Sequence, residues 1–129
     1  MRLTPSLMFT GAAGEALDFY LGLFPDSRLV SIERYGAGDP GREGTVRRAV
    51  FELCGARLMC IDSPAVHEFG FTPAISFFVD CDEPAELDRL YAALAAGGQT
   101  LMPPDAYGFS RRFTWVQDRF GVSWQIHLP

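Results

Sequence analysis

The segment Thr4-Pro5-Ser6-Leu7-Met8-Phe9 is repeated, with small changes, as Thr72-Pro73-Ala74-Ile75-Ser76-Phe77. The likeness continues in two further pairs of segments: Glu15-Ala16-Leu17-Asp18 with Ala85-Glu86-Leu87-Asp88, and Arg47-Arg48 with Arg111-Arg112. The copies are offset by 68, 70 and 64 residues, so their order is kept with small insertions and deletions. A unit of about 65 residues therefore occurs twice, and paired modules commonly place a ligand cleft between them.

Composition bounds the class of protein. The 129 residues are 48 % apolar and 13 % aromatic, which excludes a disordered chain and indicates one compact domain or two closely packed halves. The formal charge is −5, and all eleven basic residues are arginines without a basic stripe. Since nucleic-acid binding requires many clustered phosphate contacts, we expect no nucleic-acid partner.

Two further features bear on location. No stretch approaches 18 continuous apolar residues and the start is not signal-like, so we expect no membrane association and a cytoplasmic location. The three cysteines, Cys54, Cys60 and Cys81, form neither a C-x-x-C motif nor an even set. We therefore expect reduced thiols rather than a disulfide framework.

Hydrophobic periodicity predicts the same order of elements, βαβββ, in each copy. Pro25 ends the first helix, Asp82 is the expected N-cap of the second, and Gly97-Gly98 ends it. The predicted strands are 3–9, 28–35, 45–53, 57–61, 74–79, 99–102, 111–117 and 122–128, and the predicted helices are 14–24 and 83–96. The fold class is α+β, with module one at 1–62, a bridge at 63–70 and module two at 71–129.

The module junction holds the leading catalytic candidates, Asp62 and His67. A carboxylate beside a histidine orients the ring and favours its charged form, which suits acid–base catalysis. Equally, Asp62 and Ser63 would simply satisfy the backbone of a turn.

Three stretches carry a family resemblance: TPSLMFTGAAGEALDFYLGLFPDSR (4–28), DSPAVHEFGFTPAISFFVDC (62–81) and GFSRRFTWVQDRFGVSWQIHL (108–128). With the doubled βαβββ module, they resemble the PhnB-like branch of the vicinal-oxygen-chelate superfamily, which includes glyoxalase I, extradiol dioxygenases and bleomycin and fosfomycin resistance proteins. The resemblance implies two curved sheets around a U-shaped cleft, and a homodimer in which modules pair across two chains. Members of this branch often carry the label of a demethylubiquinone methyltransferase domain.

The residues argue against two activities that the resemblance suggests. Nothing after the first strand resembles a glycine-rich loop for S-adenosylmethionine, which disfavours methyl transfer. Metal-using members supply His or Gln from the first strand of each module and Glu from the last. The corresponding positions here are Thr4 to Ser6, Met59, Ala74 and Gln125, which are poor ligands for a divalent cation. We therefore predict no metal and no other cofactor.

The cleft implied by the resemblance remains suited to a small organic ligand. If Gln125 faces it, the alternation of side chains along strands places seven other residues there. The predicted ligand-binding residues are Ser6, Met8, Met59, Ile61, Ser76, Phe78, Gln125 and His127. Two alternatives stay open at some of these positions: Met8, Met59 and Phe78 would fill a vestigial groove, and His127 would be a partly solvated strand end.

Two functions follow from these expectations. The first is a small-molecule-binding protein without the superfamily metal, like the resistance proteins that sequester a drug. The alternative is an enzyme of the glyoxalase or dioxygenase type, a lyase, isomerase or dioxygenase, that uses an unconventional metal or acid–base groups such as Asp62 and His67.

Overall fold

The computed structural model describes all 129 residues, which form two compact units, 1–68 and 69–129. The boundary between the units lies inside the segment 63–70. Each unit contains one helix and one four-stranded mixed sheet in the order βαβββ, which confirms the predicted α+β class and the doubled module. No helix is long and apolar enough to cross a membrane.

The first unit has the sheet order β1-β4-β3-β2, with β1 parallel to β4 and the other pairs antiparallel. Its elements are β1 (Ser6–Phe9), α1 (Ala13–Leu23), β2 (Arg28–Arg34), β3 (Val46–Leu53) and β4 (Ala56–Asp62). Helix α1 covers one face of the sheet, where it buries Leu17 and Tyr20 against Phe51 and Cys60. The other face of the sheet carries the more exposed half of each strand.

The second unit repeats this topology with the order β5-β8-β7-β6, and β5 is parallel to β8. Its elements are β5 (Phe77–Asp80), α2 (Pro84–Ala95), β6 (Gln99–Asp105), β7 (Arg112–Gln117) and β8 (Ser123–Leu128). As predicted from alternation, Trp124 and Ile126 are buried with Leu87 and Leu94 of α2. This packing leaves Gln125 and His127 on the opposite face of the sheet.

The helix ends follow local rules with one correction. Helix α2 begins at a capping box, in which the Glu83 side chain and that of Glu86 satisfy each other's backbone N–H groups. The N-cap is therefore Glu83, and the prediction of Asp82 was wrong by one residue. Gly97 adopts φ +73° after the helix, as expected for a glycine that ends it.

Three strand boundaries also differ from the predictions. Strand β1 begins at Ser6 and not at Leu3, and β5 begins at Phe77 and not at Ala74, because the preceding residues form turns or irregular chain. Strand β6 continues to Asp105 through two prolines. An edge strand tolerates prolines because its outer N–H groups need no partner, and the β6–β7 register is irregular there.

The repeated Thr-Pro segments are not structurally equivalent. Ser6 lies opposite Met59, and Phe78 lies opposite Gln125, and these partners follow Gly55 and Gly121 by four residues each. Ser6 therefore corresponds to Phe78, an offset of 72 rather than the 68 predicted from Thr4-Pro5 and Thr72-Pro73. The duplication is real in topology, but the most visible sequence match is out of register by four residues.

Candidate functional site

In the first unit, the predicted residues share the face of the sheet that α1 does not cover. The parallel register sets Ser6 opposite Met59 and Met8 opposite Ile61, and the antiparallel register sets Val50 opposite Met59. Residues paired in this way project to the same side of a sheet. We call this side the first open face, and all four ligand-binding residues predicted in module one lie on it.

The first open face contains a cavity of about 250 Å³. Its lining residues are Arg2, Thr4, Val30, Ser31, Arg48, Val50, Arg57 and Met59. Three of them are arginines and none is acidic, so the cavity is electropositive. Of the predicted residues only Met59 lines it, and Met59 is half-buried at its floor, so the groove is not filled there.

The arginines of this cavity differ in their partners. Arg57 donates to Glu52 at 3.1 Å, and Glu52 also accepts from Arg28 at 2.9 Å. The hydrogen bonds from Arg28 and Arg57 lower the pKa of the Glu52 carboxyl. Arg48 has no carboxylate partner, because its nearest polar contact is the sulfur of Met59 at 3.9 Å. The positive charge of Arg48 is therefore not compensated within the protein.

A smaller cavity, of about 140 Å³, lies beside the predicted catalytic residue Asp62. It is lined by Thr10, Gly11, Arg42, Thr45, Asp62, Ser63, Pro64, Ala65 and Val66. The Asp62 carboxylate is buried and accepts hydrogen bonds from the backbone N–H groups of Gly11, Ala13 and Val46, at 2.7, 3.0 and 2.9 Å. These bonds tie the start of α1 and the start of β3 to the end of β4.

The second catalytic candidate, His67, lies in the segment that follows β4. Its Nε2 is 2.8 Å from the Oγ of Ser63, and the same oxygen accepts the backbone N–H of Ala65 at 3.2 Å. The contacts of Asp62 and Ser63 support the turn alternative for this segment. An acid–base role for Asp62 and His67 stays a prediction.

In the second unit, the four predicted residues again share one side of a sheet, the second open face. Phe78 lies opposite Gln125, and the register continues with Asp80 opposite His127. Ser76, which precedes the strand, reaches the same side, where its hydroxyl is 2.6 Å from that of Ser123. Gln125 makes no side-chain hydrogen bond within the protein, so its amide is available to a ligand.

The structure adds a residue that the sequence prediction missed. His127 Nδ1 lies 2.7 Å from Oδ1 of Asp80, and the His127 ring packs against Phe78 with a centroid distance of 5.4 Å. The predicted strand ended at Val79, one residue before Asp80. Extending the same alternation from Ser76 and Phe78 by one step identifies Asp80 as a member of this face.

The positions that correspond to metal ligands in the superfamily do not suit a cation. Ala74 offers only a methyl group and lies in an exposed turn, and Met59 offers a thioether. Gln125 alone provides a carbonyl oxygen on a strand, and it is uncharged. No group of three or more His, Cys, Asp or Glu residues is placed to hold a metal ion. The donor set therefore does not match the hard or borderline divalent metals, which prefer imidazole and carboxylate.

Comparison with known proteins places this chain. The sequence model of the family described as 3-demethylubiquinone-9 3-methyltransferase matches residues 1–127. The chain belongs to this family. It is similar to the PhnB protein from Bacillus cereus, with 48 % identity over the whole of both chains and a TM-score of 0.97. It is also similar to PA1353 from Pseudomonas aeruginosa, with 28 % identity, coverage of 99 % and 97 %, and a TM-score of 0.87.

More distant likenesses place the family in its superfamily. Protein YjdN from Escherichia coli (strain K12) is 24 % identical over 99 % of this chain and 95 % of its own. FosX from Listeria monocytogenes is 11 % identical over 98 % and 90 % of the two chains, with a TM-score of 0.66. At this identity the likeness to FosX concerns the fold. The PhnB-like family is thus a branch of the vicinal-oxygen-chelate superfamily, as the sequence predicted.

Proposed function

We propose that this PhnB-like protein binds a small organic anion in the cavity of the first open face, without a resident metal. The observation that carries this proposal is Arg48, whose guanidinium lines the cavity and has no carboxylate partner. Arg57 holds its geometry through Glu52 and still faces the same space. A guanidinium pairs with carboxylate or phosphate oxygens through two parallel N–H bonds, so it recognises planar or tetrahedral anions.

The size and lining of the cavity limit the ligand. A volume of about 250 Å³ is below the range of roughly 300–1,000 Å³ typical of drug-sized ligands, which favours a metabolite of few heavy atoms. Val30, Val50 and Met59 supply apolar contacts, and Thr4 and Ser31 supply hydroxyls. The ligand would therefore carry one anionic group on a short apolar or hydroxylated body.

One structural neighbour has a ligand of this kind. FosX from Listeria monocytogenes was solved with Mn(II) and 1S,2S-dihydroxypropylphosphonic acid, an organic anion. At 11 % identity this likeness supports the fold alone, and the metal positions of the present chain do not suit Mn(II). The anion proposal therefore stands on the arginines of this chain.

We do not propose methyl transfer, although the family description contains that activity. The segment closest to a cofactor-binding loop is Gly11-Ala12-Ala13-Gly14, between β1 and α1. A glycine-rich loop cradles a cofactor with its backbone N–H groups. Here the N–H groups of Gly11 and Ala13 are both bonded to Asp62, which leaves this turn without the donors that such a loop needs.

The alternative, a glyoxalase- or dioxygenase-type enzyme, has a different test. If Asp62 and His67 act as an acid–base pair, His67→Ala abolishes the activity while the fold is kept. Should that variant retain every activity detected for the wild type, the pair has no catalytic role.

We further propose a homodimer, in line with the expectation from the superfamily. Strand β2 is an edge strand that is exposed along most of its length, including Leu29 and Val30. Such an edge is suited to cover by a second chain. Light scattering should give twice the chain mass of 14.3 kDa, and a clean monomer mass would contradict this proposal. A cytoplasmic location also stays a prediction.

The anion proposal is tested with EDTA-treated protein and a panel of small carboxylates and phosphate monoesters, each paired with its uncharged amide or alcohol. Calorimetry should detect binding of at least one anion and not of its neutral partner. Arg48→Gln should weaken that binding by about tenfold or more, because a hydrogen bond to a charged group contributes about 1.5–3 kcal/mol. Arg47→Gln is the matched control, since Arg47 is a neighbour on the same strand that pairs with Asp39 at 3.8 Å.

Two outcomes would contradict this function. Equal losses of affinity in the Arg47 and Arg48 variants would show that overall charge, and not the cavity, attracts the anion. Stabilisation by divalent metals alone, with no response to any organic anion, would favour the enzyme alternative.

A further inference from the structure

We propose that the second open face holds a separate binding site for a small phenol-like molecule, in which His127 Nε2 accepts the ligand's hydroxyl hydrogen. This goes beyond the anion site proposed above and depends on a different set of residues. Its elements are the Asp80–His127 pair and a cluster of aromatic rings around it.

The first step concerns the hydrogen on the imidazole ring. Oδ1 of the Asp80 carboxylate can only accept, and it lies 2.7 Å from Nδ1 of His127. In the neutral ring Nδ1 must therefore carry the hydrogen, which makes Nε2 the acceptor. Nε2 has no partner in the protein, since the Asp80 contact is the only hydrogen bond of this side chain.

The second step concerns what surrounds the ring. His127 packs against Phe78, and Phe78 lies 6.4 Å from the ring of Phe113. Phe113 in turn contacts Phe109 at 5.0 Å and Tyr107 at 6.1 Å, both edge to face. Large aromatic side chains that form one exposed group on a small protein commonly mark a binding surface.

The third step uses exposure. Phe78 and Phe109 are 55 % and 59 % exposed, which is costly for apolar rings that could pack inward. The Tyr107 hydroxyl is already donated to the backbone oxygen of Pro103, so this residue presents its ring rather than its hydroxyl. The surface therefore offers aromatic faces and a single acceptor.

These features define the chemistry of the ligand. A planar aromatic body stacks on exposed rings, and one O–H group donates to Nε2. A carboxylate would instead meet the negative charge of Asp80, which is 68 % exposed beside the histidine. Recognition of an O–H donor also explains why an acceptor is fixed inside an apolar patch, which self-association of the chain would not require.

The experiment compares 4-methylphenol with its methyl ether, 4-methylanisole, at pH 8. Both present the same ring, and only the phenol donates a hydrogen bond. We expect wild-type protein to bind the phenol about fivefold more tightly, the value of one ordinary hydrogen bond. The ¹⁵N resonance of His127 Nε2 should shift with the phenol and not with the ether.

Two variants locate the effect. His127→Phe keeps an aromatic ring and removes the acceptor, so the preference for the phenol should disappear. Asp80→Asn should reduce the preference, because an amide can present either its oxygen or its NH₂ to Nδ1 and no longer determines the tautomer. Asp82→Asn, an exposed aspartate with the same change of charge, is the control and should keep the wild-type ratio.

Several results would overturn the proposal. Equal binding of phenol and ether by the wild type does so without reliance on any variant. A preference that survives in His127→Phe, with the fold confirmed by circular dichroism, places the recognition elsewhere. Absence of binding, together with self-association that is lost in Phe109→Ser, assigns the aromatic rings to an interface between two copies of the chain.

Discussion

The carboxylate of Asp62 accepts a 2.7 Å hydrogen bond from the backbone N–H of Gly11, although 51 residues separate them in the chain. The same oxygen accepts from Ala13, the first residue of α1, which has no side-chain N-cap of its own. The other oxygen accepts from Val46 at the start of β3. One buried side chain thus joins the beginnings of two elements to the end of a third.

We predict that Asp62→Asn destabilises the protein by about 2 kcal/mol. The amide must turn its NH₂ group towards at least one of the three backbone donors, so that donor loses its acceptor in a buried site. Denaturant unfolding measures the change. Asp18→Asn, on the exposed side of α1, is the control and should alter stability by less than about 0.5 kcal/mol. Equal stability of the two variants would show that these bonds are not required.

Two glycines should respond in opposite ways to alanine. A Cβ on Gly98 would lie 2.1 Å from the backbone oxygen of Gln117, closer than any real contact, so Gly98→Ala should lower the midpoint of thermal unfolding strongly. A Cβ on Gly22, inside α1, meets nothing within 4 Å. Gly22→Ala should therefore stabilise by up to about 1 kcal/mol through helix propensity. Similar midpoints for the two variants would contradict the packing described at Gly98.

The three cysteines should differ in reactivity. No disulfide joins them; Cys54 is exposed, and Cys60 and Cys81 are buried. Burial raises the pKa of the Cys60 thiol to about 12 and that of Cys81 to about 11. Since the thiolate is the nucleophile, iodoacetamide at pH 8 should modify Cys54 alone in the folded protein. Mass spectrometry after digestion identifies the site, and rapid labelling of Cys60 would be inconsistent with its packing.

The raised pKa of Cys60 also predicts an alkaline limit to stability. The unfolded thiol ionises from its ordinary pKa of 9.0, whereas the folded thiol stays protonated until about 12. Its contribution is complete below pH 9 and is lost as the pH rises towards 12. Unfolding free energy should fall less steeply over this range in Cys60→Ala than in the wild type. Cys54→Ala, which removes an exposed thiol, should keep the wild-type slope.

The lowered pKa of Glu52 predicts an effect at the acid end. Its folded pKa is depressed by Arg28 and Arg57, so its contribution is present above the unfolded value of 4.5 and is lost as the pH falls through the folded pKa. In Glu52→Gln, thermal stability should depend less on pH below about 4.5. Glu33→Gln, an exposed residue on β2, provides the comparison. An unchanged acid slope in Glu52→Gln would indicate that solvent screens these pairs.

Local signals predicted most of the fold. Strand alternation, the 3.6-residue period of the helices, and the positions of Pro25, Pro84 and Gly97 are properties of neighbouring residues, and they placed every helix and strand in the right order. The errors lie at strand ends, where tertiary pairing and not propensity decides the boundary. The Thr-Pro segments misled the alignment of the modules because they precede the paired strands, outside the hydrogen-bonded register.

The candidate sites were predicted only in part. Alternation placed Met59 and Gln125 on open faces, since the side of a strand follows from the buried side chains next to it. It did not identify Arg48 as uncompensated, because that depends on which acids lie across the sheet. Arg57 found Glu52 on the neighbouring strand, whereas Arg48 found the sulfur of Met59.

The sequence by itself determined the doubled βαβββ order, the buried face of each helix, and the replacement of metal ligands by residues that bind cations poorly. Tertiary structure alone decided which distant side chains meet. Parallel pairing of β5 with β8 brings Asp80 to His127 across 47 residues, and the packing of α1 brings Gly11 to Asp62. The physical reason is that periodicity is encoded locally, whereas the register of strands far apart in the chain is set by how whole elements pack.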